Sequence, residues 1–180
     1  MKEEDFDVVQ MNDEPKEKNE RLKYSNETMK RADFSNVATI GGKYNSSNLN
    51  HSEFSNADLE KSKISHSTMD HVVFLETNLN RTKFNYSSLK SASFENCSYE
   101  DARFLYCTLS YADFSYETFR RTEFKQCTLK QTSFYGATFR NVTFKDCTVK
   151  HCDFTGSKMD STTIAYLRST DANLTDVEIL

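Results

Sequence analysis

The sequence is poor in the residues that interrupt helices, with one proline and four glycines among 180 residues, and it contains no tryptophan. It is rich in serine, threonine and asparagine, whose side chains compete with the backbone for hydrogen bonds and oppose long helices. No apolar run approaches the length of a membrane-spanning helix. We therefore expect neither long helices nor a membrane partner.

The chain begins with a cluster of acids, Glu3, Glu4, Asp5 and Asp7. A secretory signal begins with basic residues instead, so a cytoplasmic location is expected. Residues 1–20 carry eight acids and three lysines, whereas the whole chain has a net charge of −4, so the remainder is close to neutral.

An apolar or aromatic residue recurs at every fifth position from Tyr24 to Ile179, at 30 of 32 steps and without a change of phase. Thirteen of the 14 phenylalanines lie on this series of centre positions. Two residues before each centre, a second series of small positions holds alanine, serine, threonine, cysteine, valine or glycine at 28 of 32 steps. A period of five fits neither an α-helix nor a simple alternating strand, so it predicts a repeat architecture.

The centre residue and the small residue before it can both point inward, as alternate residues of a strand do. Four such five-residue sides would close a coil of 20 residues, and the centres do sort with this longer period. One side repeats phenylalanine: Phe34, Phe54, Phe74, Phe94, Phe114, Phe134 and Phe154. The opposite side is mainly aromatic: Tyr24, Tyr44, Ile64, Phe84, Phe104, Phe124 and Phe144. A period of 20 is therefore present in the sequence.

Several repeats share an alanine, an acid or amide, and a large apolar residue: Ala32-Asp33-Phe34, Ala57-Asp58-Leu59, Ala112-Asp113-Phe114 and Ala172-Asn173-Leu174. This pattern resembles the pentapeptide-repeat family, whose consensus is A(D/N)Lxx. The resemblance covers about residues 22–180 and implies an all-β fold, a right-handed quadrilateral parallel β-helix of about eight coils of 20 residues. The chain departs from the family in preferring phenylalanine to leucine at the centre, which changes the packing of rings rather than the architecture.

The two ends and one early repeat depart from the pattern. Residues 1–20 lie off it and are predicted to be a charged tail or a cap over the first coil, with residues 21–180 forming a single β-helix domain. Thr39 occupies a centre and is followed by Gly41 and Gly42, which predicts a locally distorted coil or a recognition bulge.

The C-terminal residues stay in phase, so no helical cap is predicted there. An exposed apolar end could instead stack on a second copy in a two-fold homodimer. The candidate residues for this dimer end are Leu174, Val177, Ile179 and Leu180.

The sequence contains no recognisable catalytic motif. Phosphate-binding loops, dinucleotide fingerprints, nucleophile elbows and zinc spacings are absent, and His51 and His71 share an outward column without a complete ligand set. The cysteines occupy small positions and are expected to be buried and reduced: Cys97, Cys107, Cys127, Cys147 and Cys152. We expect no enzymatic activity, cofactor, metal or small-molecule substrate.

Charge is distributed unevenly among the predicted sides. The side with the phenylalanine series, here called the acidic side, has carboxylates but no lysine or arginine: Asp33, Glu53, Glu76, Glu95, Asp113, Asp153 and Asp176. The opposite side, here called the basic side, repeats a cation before the centre: Lys23, Lys43, Lys63, Lys83 and Arg103. Such columns arise by duplication of a solvated repeat or mark a recognition surface; repulsion between like charges about 5 Å apart favours recognition.

These features predict a rigid, non-enzymatic rod that binds a macromolecule. The resemblance implies a specific partner, because one branch of the family imitates duplex DNA, binds type II topoisomerases such as DNA gyrase, and protects them from inhibitors. The acidic side fits that branch, whereas the near-neutral rod and the absence of projecting loops depart from part of it.

Other functions fit the sequence as well. A protein–protein scaffold, a localisation module or a secreted effector would need no nucleic-acid mimicry. Direct nucleic-acid binding by the basic side is a further alternative, although only Tyr86 and Tyr106 lie near the cation column for base stacking.

Overall fold

The computed structural model describes residues 22–180, and the prediction of a tail or cap for residues 1–20 lies outside the described residues. Within this range the chain forms short strands and one helix. In chain order the elements are β1 (Lys23–Ser25), β2 (Lys43–Asn45), β3 (Lys63–Ser65), β4 (Val73–Leu75), β5 (Lys83–Asn85), β6 (Ser93–Glu95), β7 (Arg103–Leu105), β8 (Thr118–Arg120), β9 (Glu123–Lys125), β10 (Thr138–Arg140), β11 (Thr143–Lys145), β12 (Lys158–Met159), α1 (Ser161–Leu167) and β13 (Glu178–Ile179).

The strands stack as the walls of a coil. Strands β1, β2, β3, β5, β7, β9 and β11 form a sheet on the basic side; β8, β10, β12 and β13 form a second sheet; and β4 pairs with β6 on the acidic side. Every pairing is parallel and joins residues 20 apart, as in Tyr24 with Tyr44. Isolated bridges continue this spacing elsewhere, for example between Thr28 and Asn48. The predicted β-helix with coils of 20 residues is confirmed.

Two columns of aromatic rings fill the interior. Along the acidic side the rings stack with centroids from 4.2 Å apart, for Phe94 and Phe114, to 5.4 Å, for Phe114 and Phe134. Rings of the opposite column meet them edge to face, with Phe104 and Phe114 centroids 6.0 Å apart. Both arrangements are favourable for aromatic pairs, and they bury these rings almost completely. The inward direction predicted for the centre residues is therefore observed.

Polar residues are tolerated at the small positions because their side chains satisfy buried carbonyl groups. Ser62 Oγ donates to the carbonyl of Thr39 at 2.8 Å, and Cys127 Sγ donates to the carbonyl of Phe104 at 3.1 Å. In each pair the acceptor is the centre residue 23 positions earlier, on the preceding coil. The carbonyl of Thr39 also accepts a hydrogen bond from Gly42 N at 2.7 Å, so the hydroxyl of Ser62 supplies a second donor to an oxygen that can accept two. All five cysteines are free thiols.

Each corner of the coil is turned by a residue in the left-handed conformation. Every fifth residue from Asn26 to Gly156 has a positive φ, comprising 24 non-glycine residues and three glycines. The next small residue then bonds back to the preceding centre, as Ala57 N does to the carbonyl of Phe54 at 3.1 Å. Glycine and asparagine adopt this conformation readily, whereas other residues lose roughly 1–2 kcal/mol. A bulky side chain at a corner is therefore held there against a backbone preference.

The coil at Thr39 is regular, so neither the distortion nor the bulge predicted there is present. The bridge between Ala38 and Asp58 continues the standard pairing, and Thr39 is buried. Its hydroxyl oxygen accepts a hydrogen bond from the hydroxyl of Tyr44 at 3.2 Å. Threonine is accommodated because it is smaller than phenylalanine and pairs with the buried tyrosine hydroxyl. A Cβ at Gly42 would lie 2.8 Å from the carbonyl oxygen of Thr39, which explains that glycine.

A short helix closes the C-terminal end, contrary to the prediction of no helical cap. The side chain of Asp160 accepts a hydrogen bond from Thr163 N at 2.9 Å and caps α1, a role that aspartate fills well. Ile164 and Leu167 are buried where the helix packs against β11. The chain then returns to register, because Glu178 in β13 pairs with a residue 20 positions earlier.

A carboxyl group is buried at one small position. Glu117 is 4% exposed, and its Oε2 accepts a hydrogen bond from Cys97 N at 3.1 Å. Burial raises the pKa of Glu117 to about 7. The neighbouring Tyr99 hydroxyl is also buried, and among residues 22–180 it has no hydrogen-bond partner of normal geometry. This acid therefore costs folding free energy when it is ionised.

Replacing Phe94 by alanine should destabilise the protein by about 3–5 kcal/mol, because it removes a ring stacked on both neighbouring coils and leaves a cavity. Urea unfolding of Phe94→Ala gives the free-energy change. The adjacent exposed substitution Glu95→Ala is the control and should change stability by less than about 0.5 kcal/mol. A loss below about 1 kcal/mol for Phe94→Ala would contradict the role of the ring column.

The burial of Glu117 predicts that stability falls as the pH rises. The folded pKa of about 7 exceeds the ordinary value of 4.5, so the folded state holds the proton more tightly. Stability should be greatest below the ordinary pKa and should decline through pH 7, by up to about 3 kcal/mol. Glu117→Gln carries no charge, so urea unfolding at a series of pH values should show a smaller decline for this variant. Parallel curves for the two proteins would rule out Glu117 as the cause.

Candidate binding surfaces

The acidic side presents its carboxylates without cationic partners. Six of the seven predicted acids are exposed, and Glu53 is half-buried. Among residues 22–180 none of the seven forms an ion pair; the carboxylates that do so lie elsewhere, as in the pair of Glu60 with Arg81. The structure places Asp33 beside Glu53 on neighbouring coils and spreads the remaining acids over three outward columns.

Three aspartates of this side also hold corners of the coil. The carboxylates of Asp33, Asp113 and Asp153 accept hydrogen bonds at 2.8–2.9 Å from the backbone N–H two residues later. The hydrogen bonds from Ser35, through its side chain and backbone, lower the pKa of Asp33. Asparagine makes the same bond at Asn78, whose Oδ1 accepts from a backbone N–H at 3.1 Å. The corner bond therefore requires a side-chain oxygen but not a charge.

Exposed tyrosines lie among these acids, and the sequence analysis did not identify them. Tyr116 is 72% exposed at a left-handed corner and contacts Tyr135 edge to face, with centroids 5.4 Å apart. The Tyr116 ring lies over Gly136, where a Cβ would approach it to 2.8 Å. Tyrosine is enriched at protein interfaces because a ring and a hydroxyl can both contact a partner. The sequence signal for this site is a tyrosine at a corner position, where asparagine would adopt the left-handed backbone conformation with less strain.

The basic side carries its cations in one straight row. Lys43, Lys63, Lys83 and Arg103 are exposed and stack in register on successive coils, with Lys23 at the start. Arg103 pairs with Glu123 at 3.6 Å, whereas the three lysines at 43, 63 and 83 form no ion pair within residues 22–180. At the coil spacing of about 4.8 Å, two unit charges in water repel by about 0.9 kcal/mol at most.

A column of stacked rings borders the cation row at the next corner. His66 stacks on Tyr86 with centroids 5.2 Å apart, and Tyr86 stacks on Tyr106 at 4.5 Å with an interplanar angle of 9°. All three residues are exposed and have positive φ. Tyr86 and Tyr106 can be placed near the cation row from the sequence, but their stacking cannot, because the five-residue series describes inward positions only.

The predicted dimer end is partly accessible. Ile179 is 76% exposed and Leu180 is 44% exposed, while Leu174 and Val177 are partly buried against the core. Strand β13 pairs with β12 and is the last strand of its sheet. The end therefore offers one strand edge with an exposed apolar residue.

Two features are absent from residues 22–180, a metal-binding cluster and a membrane-spanning helix. Residues 22–180 contain no group of three or more side chains that could hold a metal ion, and His51 stacks on His71 at 4.8 Å. No helix in this range is long and apolar enough to cross a membrane.

Comparison with solved structures finds the same fold in proteins of low sequence identity. A trypsin-treated variant of QnrB1, described as a plasmid-mediated fluoroquinolone resistance protein, matches with a TM-score of 0.54 and 17% identity, over 90% of this chain and 88% of that chain. HetL, involved in heterocyst differentiation regulation in the cyanobacterium Nostoc sp. strain PCC 7120, matches with a TM-score of 0.51 and 10% identity, over 86% and 88%.

No curated protein matches the chain in sequence. A family model described as the pentapeptide repeat region matches residues 27–104 and 98–179. These two segments cover most of the chain and coincide with the stacked coils. The chain therefore belongs to the pentapeptide-repeat family.

Proposed function

We propose that this protein is a non-enzymatic binding rod whose acidic side docks on a type II topoisomerase in place of DNA. The observation that carries the proposal is a face with seven carboxylates, no lysine or arginine, and no ion pair within the described residues. Such a face produces an uncompensated negative field that a DNA-binding surface would attract. The enzyme's site of action would place the protein in the cytoplasm.

The family provides supporting context for this choice. QnrB1, which shares the fold, is described as a plasmid-mediated fluoroquinolone resistance protein. The family resemblance implies a branch that protects type II topoisomerases from inhibitors. The regular coils of the present chain leave corners of similar shape along the rod, so recognition would depend on the face itself rather than on projecting loops.

A scaffold function is the second candidate. Tyr116 and Tyr135 project from the C-terminal half of the acidic side, and exposed tyrosines are typical anchors of protein interfaces. A partner that uses these rings need not bind DNA at all. The two candidates therefore differ in whether charge or aromatic contact dominates.

Topoisomerase binding predicts that the protein inhibits DNA supercoiling by bacterial gyrase or protects the enzyme from drug-stabilised cleavage. Neutralising Asp33, Asp113 and Asp153 as asparagines keeps an oxygen for each corner bond and removes three charges. We expect the effective concentration to rise about tenfold or more, because the attraction to a DNA-binding surface weakens. A supercoiling assay with and without a fluoroquinolone measures this change.

The matched control removes three carboxylates from other sides: Asp58→Asn, Asp146→Asn and Asp171→Asn. Asp58 makes the same kind of corner bond, with Glu60 N donating at 3.0 Å. An equal effect of both triple variants would reduce the result to net charge. No effect of the parent protein at concentrations well above the enzyme's would exclude topoisomerase binding and leave the scaffold as the proposal.

We also propose that two copies associate through the C-terminal end. Ile179→Asp places a charge on the exposed residue of β13 and should convert a dimer into a monomer, which sedimentation equilibrium measures. Ile40→Asp is the control, because Ile40 is 49% exposed at a corner far along the chain from β13. A parent protein that sediments as a monomer at high concentration would contradict the proposal.

A further inference from the structure

The basic side combines a row of cations with a parallel column of stacked rings. The cation row is formed by Lys43, Lys63, Lys83 and Arg103, and the ring column by His66, Tyr86 and Tyr106. We propose that this strip binds an acidic polypeptide segment in an extended conformation. It is separate from the acidic side, so the proposal does not depend on topoisomerase binding.

Charge complementarity supports an anionic occupant. Within residues 22–180 the three lysines have no carboxylate partner, although acids are available at the neighbouring corner. There, Glu60 and Glu100 pair with other cations, Arg81 and Arg121. The three lysines thus remain uncompensated while the flanking corner is neutralised, which leaves a narrow positive strip; Arg103 at the end of the row pairs with Glu123.

The width of the strip disfavours duplex DNA. The cation row and the ring column are three positions apart along the chain, which corresponds to a distance of at most about 10 Å. The major groove of DNA alone is about 12 Å wide, so a duplex would extend past the strip. The flanking corner would add little attraction, because its acids Glu60 and Glu100 already pair with Arg81 and Arg121. A single extended chain fits within the width.

The stacking of the rings disfavours single-stranded nucleic acid. Proteins that bind such strands offer open aromatic faces to the bases. Here Tyr86 is stacked between His66 at 5.2 Å and Tyr106 at 4.5 Å, so both faces of its ring are covered, while the two tyrosines remain 52% and 38% exposed. Hydroxyl donors and ring edges suit carboxylates and the methylene groups of acidic side chains.

The backbone at the ring column does not require aromatic residues. Tyr86 and Tyr106 have φ of 49° and 57°, in the left-handed region that asparagine and glycine adopt more readily. The same corner carries Asn26 on the first described coil. Asparagine at these two positions should therefore preserve the fold.

The strip ends in a polar groove below α1. This groove has a volume of about 330 Å³, and its lining includes the cations Arg103, Arg121 and Lys145 together with Tyr166 of α1. The groove also contains one acid, Glu123, which pairs with Arg103. From Lys43 to the coil that holds Lys145, five steps of about 4.8 Å give a length of about 24 Å. An extended segment of about seven residues would cover that distance.

The test is fluorescence anisotropy with labelled peptides of alternating glutamate and serine and the full-length protein. Affinity should rise with length up to about eight residues and then level off, because longer peptides extend past the strip. A variant with Glu3→Gln, Glu4→Gln, Asp5→Asn and Asp7→Asn is measured in parallel, which removes four of the eight acids of residues 1–20 as competitors.

Lys63→Gln with Lys83→Gln should weaken binding about five- to thirtyfold, since two exposed ion pairs are lost. This variant relieves repulsion in the row, so unfolding cannot explain the loss. The control is Lys130→Gln with Lys150→Gln, which removes two exposed lysines in one column of another side and should leave affinity unchanged. Tyr86→Asn with Tyr106→Asn should weaken binding while thermal stability is equal or higher.

Three results would overturn the proposal. The first is equal binding of a peptide with glutamine in place of glutamate, or no binding of any acidic peptide. The second is tighter binding of a thymidine oligonucleotide or a short DNA duplex than of the peptide. The third is an equal loss in the control lysine variant.

Discussion

Parallel pairing between coils, which joins residues 20 positions apart, is the constraint on which the rest of the structure depends. The strand spacing of about 4.8 Å is close to the separation of stacked rings, so a phenylalanine repeated every 20 residues stacks without adjustment. The same constraint acts outside, where Lys63 must lie directly over Lys43. Columns of aromatic rings and columns of charge thus have a single geometric cause.

The backbone polar groups explain the residues around those columns. Each coil turns at left-handed corners, which favour asparagine or glycine. Its centre carbonyls accept hydrogen bonds from serine, threonine or cysteine at the small positions. Some residues depart from these preferences at the corners and small positions. Glu117 at a small position brings a pKa of about 7 into the core, whereas Tyr86 and Tyr116 at corners are exposed and strained.

Most of the fold could be predicted because the inward residues obey two simple periods. Phe94 and Phe114 follow from a period of five and a period of 20, and their burial follows from the alternation of a strand. The helix at Ser161–Leu167 was missed because Ile164 still satisfied the series, although Asp160 before a Ser-Thr-Thr run was a capping signal. The structure stacks the basic-side cations in one row and spreads the acidic-side carboxylates over three columns. Contacts among outward side chains, such as the tyrosine stack, depend on rotamers that a period does not specify.

A rod built in this way separates stability from recognition. Its folding free energy comes from inward residues that are nearly the same on every coil, so outward residues can change with little effect on the fold. The four sides can therefore diverge, and this chain has placed uncompensated acids on one side and uncompensated lysines on the opposite side. Because the aromatic core holds the two sides apart, neither can neutralise the other. That enforced separation keeps both faces charged, as the two proposed binding modes require.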